Sequence, residues 1–70
     1  MPKIIKSVGK NYVELELELE HESEKALLVS NGITTEWVPK SQLEDDPEHL
    51  KNGLVRIIVP EWLAVQKGFV

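Results

Sequence analysis

Seventy residues with 12 acidic and 8 basic side chains, a formal charge of −4, read as one domain over residues 1–70. The chain has no cysteine, which excludes disulfides, thiol chemistry and cysteine zinc sites. Its acidity disfavours general attraction to phosphate backbones and anionic lipid, and no apolar run approaches a membrane span or a signal-peptide core.

The first segment, PKIIKSVGKN, reads as a short strand with apolar Ile4, Ile5 and Val8 that turns at Gly9-Lys10-Asn11. From Tyr12 the sequence YVELELELEHESEK alternates Val13, Leu15, Leu17 and Leu19 with Glu14, Glu16, Glu18 and Glu20. Period two over this length predicts a strand with one buried and one wet face. Antiparallel pairing of the two strands sets lysines opposite glutamates, each such pair contributing roughly 0.2–1 kcal/mol. His21 continues the parity of the leucine face just where that strand runs out of core.

Next, Ala26 to Ser30 and Ile33 to Val38 flank Asn31-Gly32, which predicts a hairpin with a type I′ turn. Pro39 ends its second arm because it has no amide hydrogen to donate. KSQLEDDPEHLKNG is the one long irregular segment. Ser41 to Glu44 fits a capping pattern for a single helical turn, Asp45-Asp46-Pro47 stops it, and Asn52-Gly53 closes the loop. LVRIIVP is a further strand, nearly continuous in apolar residues and so expected at the centre of the sheet. In PEWLAVQKG, Pro60 and Glu61 suit a helix start, and Lys67 and Gly68 its end. So short a helix must dock on the sheet, through Leu63 together with Trp62 or Val65.

These elements specify a mostly β fold, a small five-stranded antiparallel meander or SH3-like barrel with a short C-terminal helix. An OB-fold would place its helix before the fourth strand, and a flatter sheet under the terminal helix is the main competitor. A core of this size supplies about 3–5 kcal/mol, so self-association is expected, a dimer at micromolar concentration formed by edge-strand pairing.

Nothing here reads as catalytic. His21 and His49 stand in charged, turn-like surroundings, without the enclosed pocket a general base needs. His21, Glu22 and Glu24, or Asp45, Asp46, Glu48 and His49, can be drawn as acid–histidine clusters, but they lack ligand periodicity, so neither metal nor cofactor is expected. The row Glu14, Glu16, Glu18 and Glu20 has a sharper reading. Alternate strand residues stand about 6.8 Å apart, close to the phosphate spacing of an extended nucleic acid. The row could therefore imitate DNA, while its ordinary reading is a solvated strand face beside lysines. Trp37, followed by Lys40, Ser41 and Gln42, could grip a peptide or stack on bases. In so small a core, however, both Trp37 and Trp62 are expected to be at least half buried, packed against each other.

At EWVPKSQLE and VRIIVPEWLAVQKGF the chain resembles a group of small uncharacterised proteins of phages, prophages and other mobile bacterial elements. The shared positions are Trp37, Pro39, Lys40 and Ser41, then Val59 to Ala64, Lys67 and Gly68, from residue 36 onward. The resemblance carries no catalytic motif and implies a mobile-element setting, often near replication or recombination functions. The expectation is a cytoplasmic, non-catalytic protein-binding module whose site is Trp37, Lys40, Ser41 and Gln42. A single-stranded nucleic-acid accessory protein using the same surface is the alternative. An acidic DNA mimic in anti-defence, using Glu14, Glu16, Glu18 and Glu20, is the third reading.

Overall fold

The Leu/Glu alternation forms the strand around which the other elements are arranged. In the computed structural model, which describes the backbone of residues 3–7 and the whole of residues 11–70, strand β2 runs from Tyr12 to Glu22. Val13, Leu15 and Leu17 are buried on one face, and Glu14 and Glu16 lie half-buried on the other. The other strands are β1 (Lys3–Ser7), β3 (Ala26–Ser30), β4 (Thr35–Pro39), β5 (Glu48–His49) and β6 (Leu54–Pro60), followed by the helix α1 (Glu61–Gln66).

All strand pairs are antiparallel, in the order β4-β3-β2-β6-β5, with β1 also paired to β2. β1 lies opposite residues 13–16 of β2 and β3 opposite residues 18–22, while β6 pairs along residues 12–18. The backbone register sets Lys3 opposite Glu16 and Lys6 opposite Glu14. The fold is thus mostly β with a short C-terminal helix, as the sequence indicates, but three details differ.

The meander covers only β1 to β4. β6 returns to β2 rather than to β4, because Val59, Ile57 and Val55 there meet Val13, Leu15 and Leu17 on the buried face. A sixth strand, the two-residue β5, forms inside the segment expected to be irregular. Among the described residues β4 and β5 end the strand order without pairing to each other, so the described sheet is not closed.

Two Asn-Gly pairs behave differently. Asn52 (φ 65°) and Gly53 (φ 76°) both take positive φ, and the Leu54 amide donates to the Lys51 carbonyl. That is the type I′ geometry, and it joins β5 to β6. Asn31-Gly32 was the expected site of such a turn, yet its loop spans residues 31–34 and Asn31 has no positive φ. Instead the Asn31 Oδ1 accepts from the amides of Ile33 (2.8 Å) and Thr34 (2.6 Å), and its Nδ2 donates to the Gly68 carbonyl (3.4 Å). Register explains the choice. A two-residue turn would set Ser30 against Ile33 and so carry Val38 past the end of β3, opposite Lys25. The longer loop sets Val38 opposite Leu27, where it is 1% exposed.

The capping turn is also displaced. A 3-10 turn covers Lys40–Gln42 with Pro39 before it, and no side chain caps it, so Ser41 does not play that part. It leads Leu43 onto the core, and the Glu44 amide donates to the Ile58 carbonyl (2.8 Å). At the other end, Pro60 precedes α1 rather than opening it. Gly68 (φ 84°) ends the helix: its amide donates to Val65 and that of Phe69 to Ala64, a Schellman stop with Phe69 folded back onto the core.

The core comprises Val13, Leu15, Leu17, Leu27, Val29, Val38, Val55, Ile57, Val59, Leu63, Ala64 and Phe69. Burial of each large aliphatic side chain contributes roughly 1.5–3 kcal/mol. Neither tryptophan belongs to this set. Trp37 is 44% exposed and Trp62 57%, and the ring partner of Trp37 is His21, not Trp62. The expectation that the two tryptophans pack against each other is therefore corrected; Trp37 keeps more than half of its surface buried, as expected, and Trp62 does not. Leu63, Ala64 and Phe69 fill the space beneath the helix, leaving Trp62 on its outer side.

Candidate functional site

Trp37 sits on β4 opposite Leu28 of β3, and His21 of β2 lies opposite Leu28 on its other side. The three side chains form a row across the outer face, where the His21 and Trp37 rings meet edge to face at 6.0 Å. A β-bulge creates this row. The β2–β3 register slips between Leu19 and His21, leaving Glu20 between them unpaired. One extra residue reverses the side-chain alternation beyond it. His21 thereby leaves the leucine parity for the outer face, and Glu22, opposite buried Leu27, takes the inner one.

Glu22 becomes a hub. Its Oε2 accepts from Lys40 Nζ at 2.7 Å, and its Oε1 lies 2.8 Å from His49 Nε2. An ionised carboxylate can only accept, so that nitrogen carries the hydrogen. The hydrogen bond from Lys40, reinforced by that from His49, holds the Glu22 carboxyl below its ordinary range. The cluster fastens the turn after β4 and the strand β5 to the end of β2.

The four residues expected to form one site are thus divided. Trp37 faces outward, Lys40 directs its ammonium to Glu22 on the opposite face, and Ser41 and Gln42 are exposed on the 3-10 turn. The acid–histidine clusters drawn from sequence do not assemble either, since His21 and Glu22 point to opposite faces and His49 joins Glu22. Among the described residues no group of three or more metal-ligating side chains gathers.

The glutamate row is not a uniform line of free carboxylates. Glu16 lies opposite Arg56, whose Nε is 3.8 Å from Glu14 and whose Nη1 is 3.3 Å from Glu48. Glu14 and Glu16 are half-buried, Glu18 is exposed, and Glu20 is set off by the bulge. Regular spacing therefore ends after Glu18.

A second aromatic surface was not placed in the site from sequence. Trp62, Val65, Tyr12 and Pro60, with Asn11, Glu61 and Gln66, line an open cleft of about 670 Å³. The available signal was helical spacing: Leu63 and Ala64 go inward, which turns Trp62 and Val65 outward together. No helix among the described residues is long and apolar enough to cross a membrane. Comparison with protein-family models, curated proteins and solved structures gives no match.

Proposed function

We propose that this protein is a small non-catalytic binding module of a phage or mobile element, acting in the cytoplasm by gripping another protein. The observation that carries the reading is the exposure of both tryptophans, 44% for Trp37 and 57% for Trp62, in a chain that fills its core with smaller side chains. Each is seated on a regular element beside other side chains that hold it, Trp37 beside Leu28 and the His21 ring, Trp62 by Val65, Tyr12 and Pro60. Rigid, partly exposed aromatics are the side chains that anchor protein interfaces.

Charge favours a protein over a nucleic acid as the partner. A net −4 surface offers no diffuse attraction to phosphate, and Lys40 spends its charge on Glu22. The DNA-mimic reading has less support, because Arg56 partly neutralises the row that would have to imitate phosphates.

The test is a pull-down from bacterial lysate with the wild type, Trp37→Ser, Trp62→Ser and Glu16→Lys plus Glu18→Lys. Capture of a defined protein should survive the glutamate reversal and fail with a tryptophan variant whose circular dichroism is unchanged. Salt-sensitive binding of a labelled single strand, abolished by Lys40→Glu, would replace this reading with the nucleic-acid one. A basic protein released only by the glutamate reversal would replace it with mimicry.

A further inference from the structure

The two ends of the β4-β3-β2-β6-β5 path are finished differently. β5 is two residues long, the usual way to blunt an edge, whereas β4 presents five residues with no bulge. Which main-chain groups of β4 face outward follows from the hydrogen bonds at both ends of its ladder with β3. The Asn31 amide donates to Thr34 (3.1 Å), and the Lys40 amide donates to Lys25 (2.8 Å). Hydrogen-bonded pairs alternate along an antiparallel ladder, so residues 34, 36, 38 and 40 bond inward. Thr35 and Trp37 therefore direct both N–H and C=O to the edge that no strand among the described residues covers, and Pro39 directs only C=O.

We infer that this edge pairs with the β4 edge of a second copy of the chain, antiparallel about a two-fold axis at Trp37. In that register each Trp37 N–H donates to the Trp37 carbonyl of the other copy, and each Thr35 N–H to the other Pro39 carbonyl. Every outward donor is satisfied. The acceptor left over, Thr35 C=O, lies opposite the proline that has no hydrogen to give. Glu36 falls opposite Val38 of the second copy. The neighbouring register, centred on Glu36, sets the two Glu36 side chains directly against each other; Lys67 Nζ, 3.9 Å from the carboxylate in each copy, lessens that like-charge cost, and the register at Trp37 avoids it altogether. Pairing at Trp37 also brings the two indoles side by side on the outer face and continues the row through His21 and Leu28 into the second copy. The contact is main-chain and stands whether or not the exposed tryptophans hold another protein. A single edge strand is a small interface, so the dimer forms at micromolar concentration rather than obligately.

Sedimentation of the full chain over a concentration series tests this, with Thr35→Pro as the decisive variant. That proline removes an outward hydrogen that the β3 ladder does not use. It should leave the circular dichroism unchanged and raise the dimer dissociation constant roughly tenfold or more, since one hydrogen bond is lost from each copy. Register is read separately, because the native chain has no cysteine. Trp37→Cys should form an interchain disulfide under mild oxidation, its Cα atoms about 5.5 Å apart in a hydrogen-bonded pair, and Glu36→Cys should not. This second measurement decides the matter should Thr35→Pro fail to fold. A monomer at millimolar concentration, a dimer indifferent to a folded Thr35→Pro, or cross-linking through Glu36→Cys instead would each overturn the proposal. Loss of dimer with retained capture of a protein partner would separate it from the binding reading.

Discussion

Phe69 and Trp62 exchange the parts that their sizes suggest. The smaller ring is 5% exposed and closes the core under the helix stop, while the larger is 57% exposed beside the cleft. Phe69→Ala should therefore cost about 3–5 kcal/mol, the whole contribution of a core this size, and leave the chain unfolded in a urea titration. Trp62→Ala should stay within about 1 kcal/mol of wild type in the same titration, as surface substitutions do. Glu22 predicts a pH dependence. Its pKa is lower in the folded state, through the Lys40 and His49 hydrogen bonds, so its contribution is complete above the ordinary carboxylate range. That contribution is lost as pH falls through the depressed value. Thermal melts of wild type and Glu22→Gln should differ at neutral pH and converge in acid. A gap that persists there would show that the ion pair is not its cause.

Elements are joined by a few side chains that replace main-chain partners. Asn31 is 7% exposed and supplies the acceptor for two loop amides and the donor to Gly68, linking the β3–β4 loop to the C-terminal segment. Asn31→Ala should lower stability by about 1–3 kcal/mol, the cost of stranded buried polar groups, measured by chemical denaturation. Gly68 is a different case. A methyl there meets nothing nearer than Thr34 at 3.8 Å, so only its positive φ resists substitution. Gly68→Ala should cost about 1–2 kcal/mol, the left-handed penalty alone. Of the two Asn-Gly pairs, only the one unattached to the core adopts the turn that local preference dictates. Where Val38 must reach Leu27, packing overrides that preference.

At the scale of the whole molecule, the proposed pairing at the β4 edge would link stability to concentration. A ligand that binds only the folded state raises its melting temperature, and a second copy acts in this way. Raising the protein from micromolar to millimolar concentration should increase the midpoint for wild type, and at any one concentration within that range the midpoint of a folded Thr35→Pro should be lifted less.

Periodicity and local stereochemistry determined much of this protein directly from its sequence. The two faces of β2 up to Leu19, the β3–β4 hairpin, the strand at Leu54–Pro60, the helix and its glycine stop all follow from patterns a few residues long. The tertiary structure decided what those patterns leave open. Beyond Leu19, His21-Glu22-Ser23-Glu24 holds no apolar residue to bind either face to the core, so nothing local specified where alternation would slip. The bulge alone sent His21 to Trp37 and Glu22 to Lys40 and His49. Competition for a small core likewise selected β2 as the neighbour of β6 and left both tryptophans outside it. Faces are written in neighbouring residues, whereas strand partners and exposed anchors depend on which distant side chains reach the core first and fill it best.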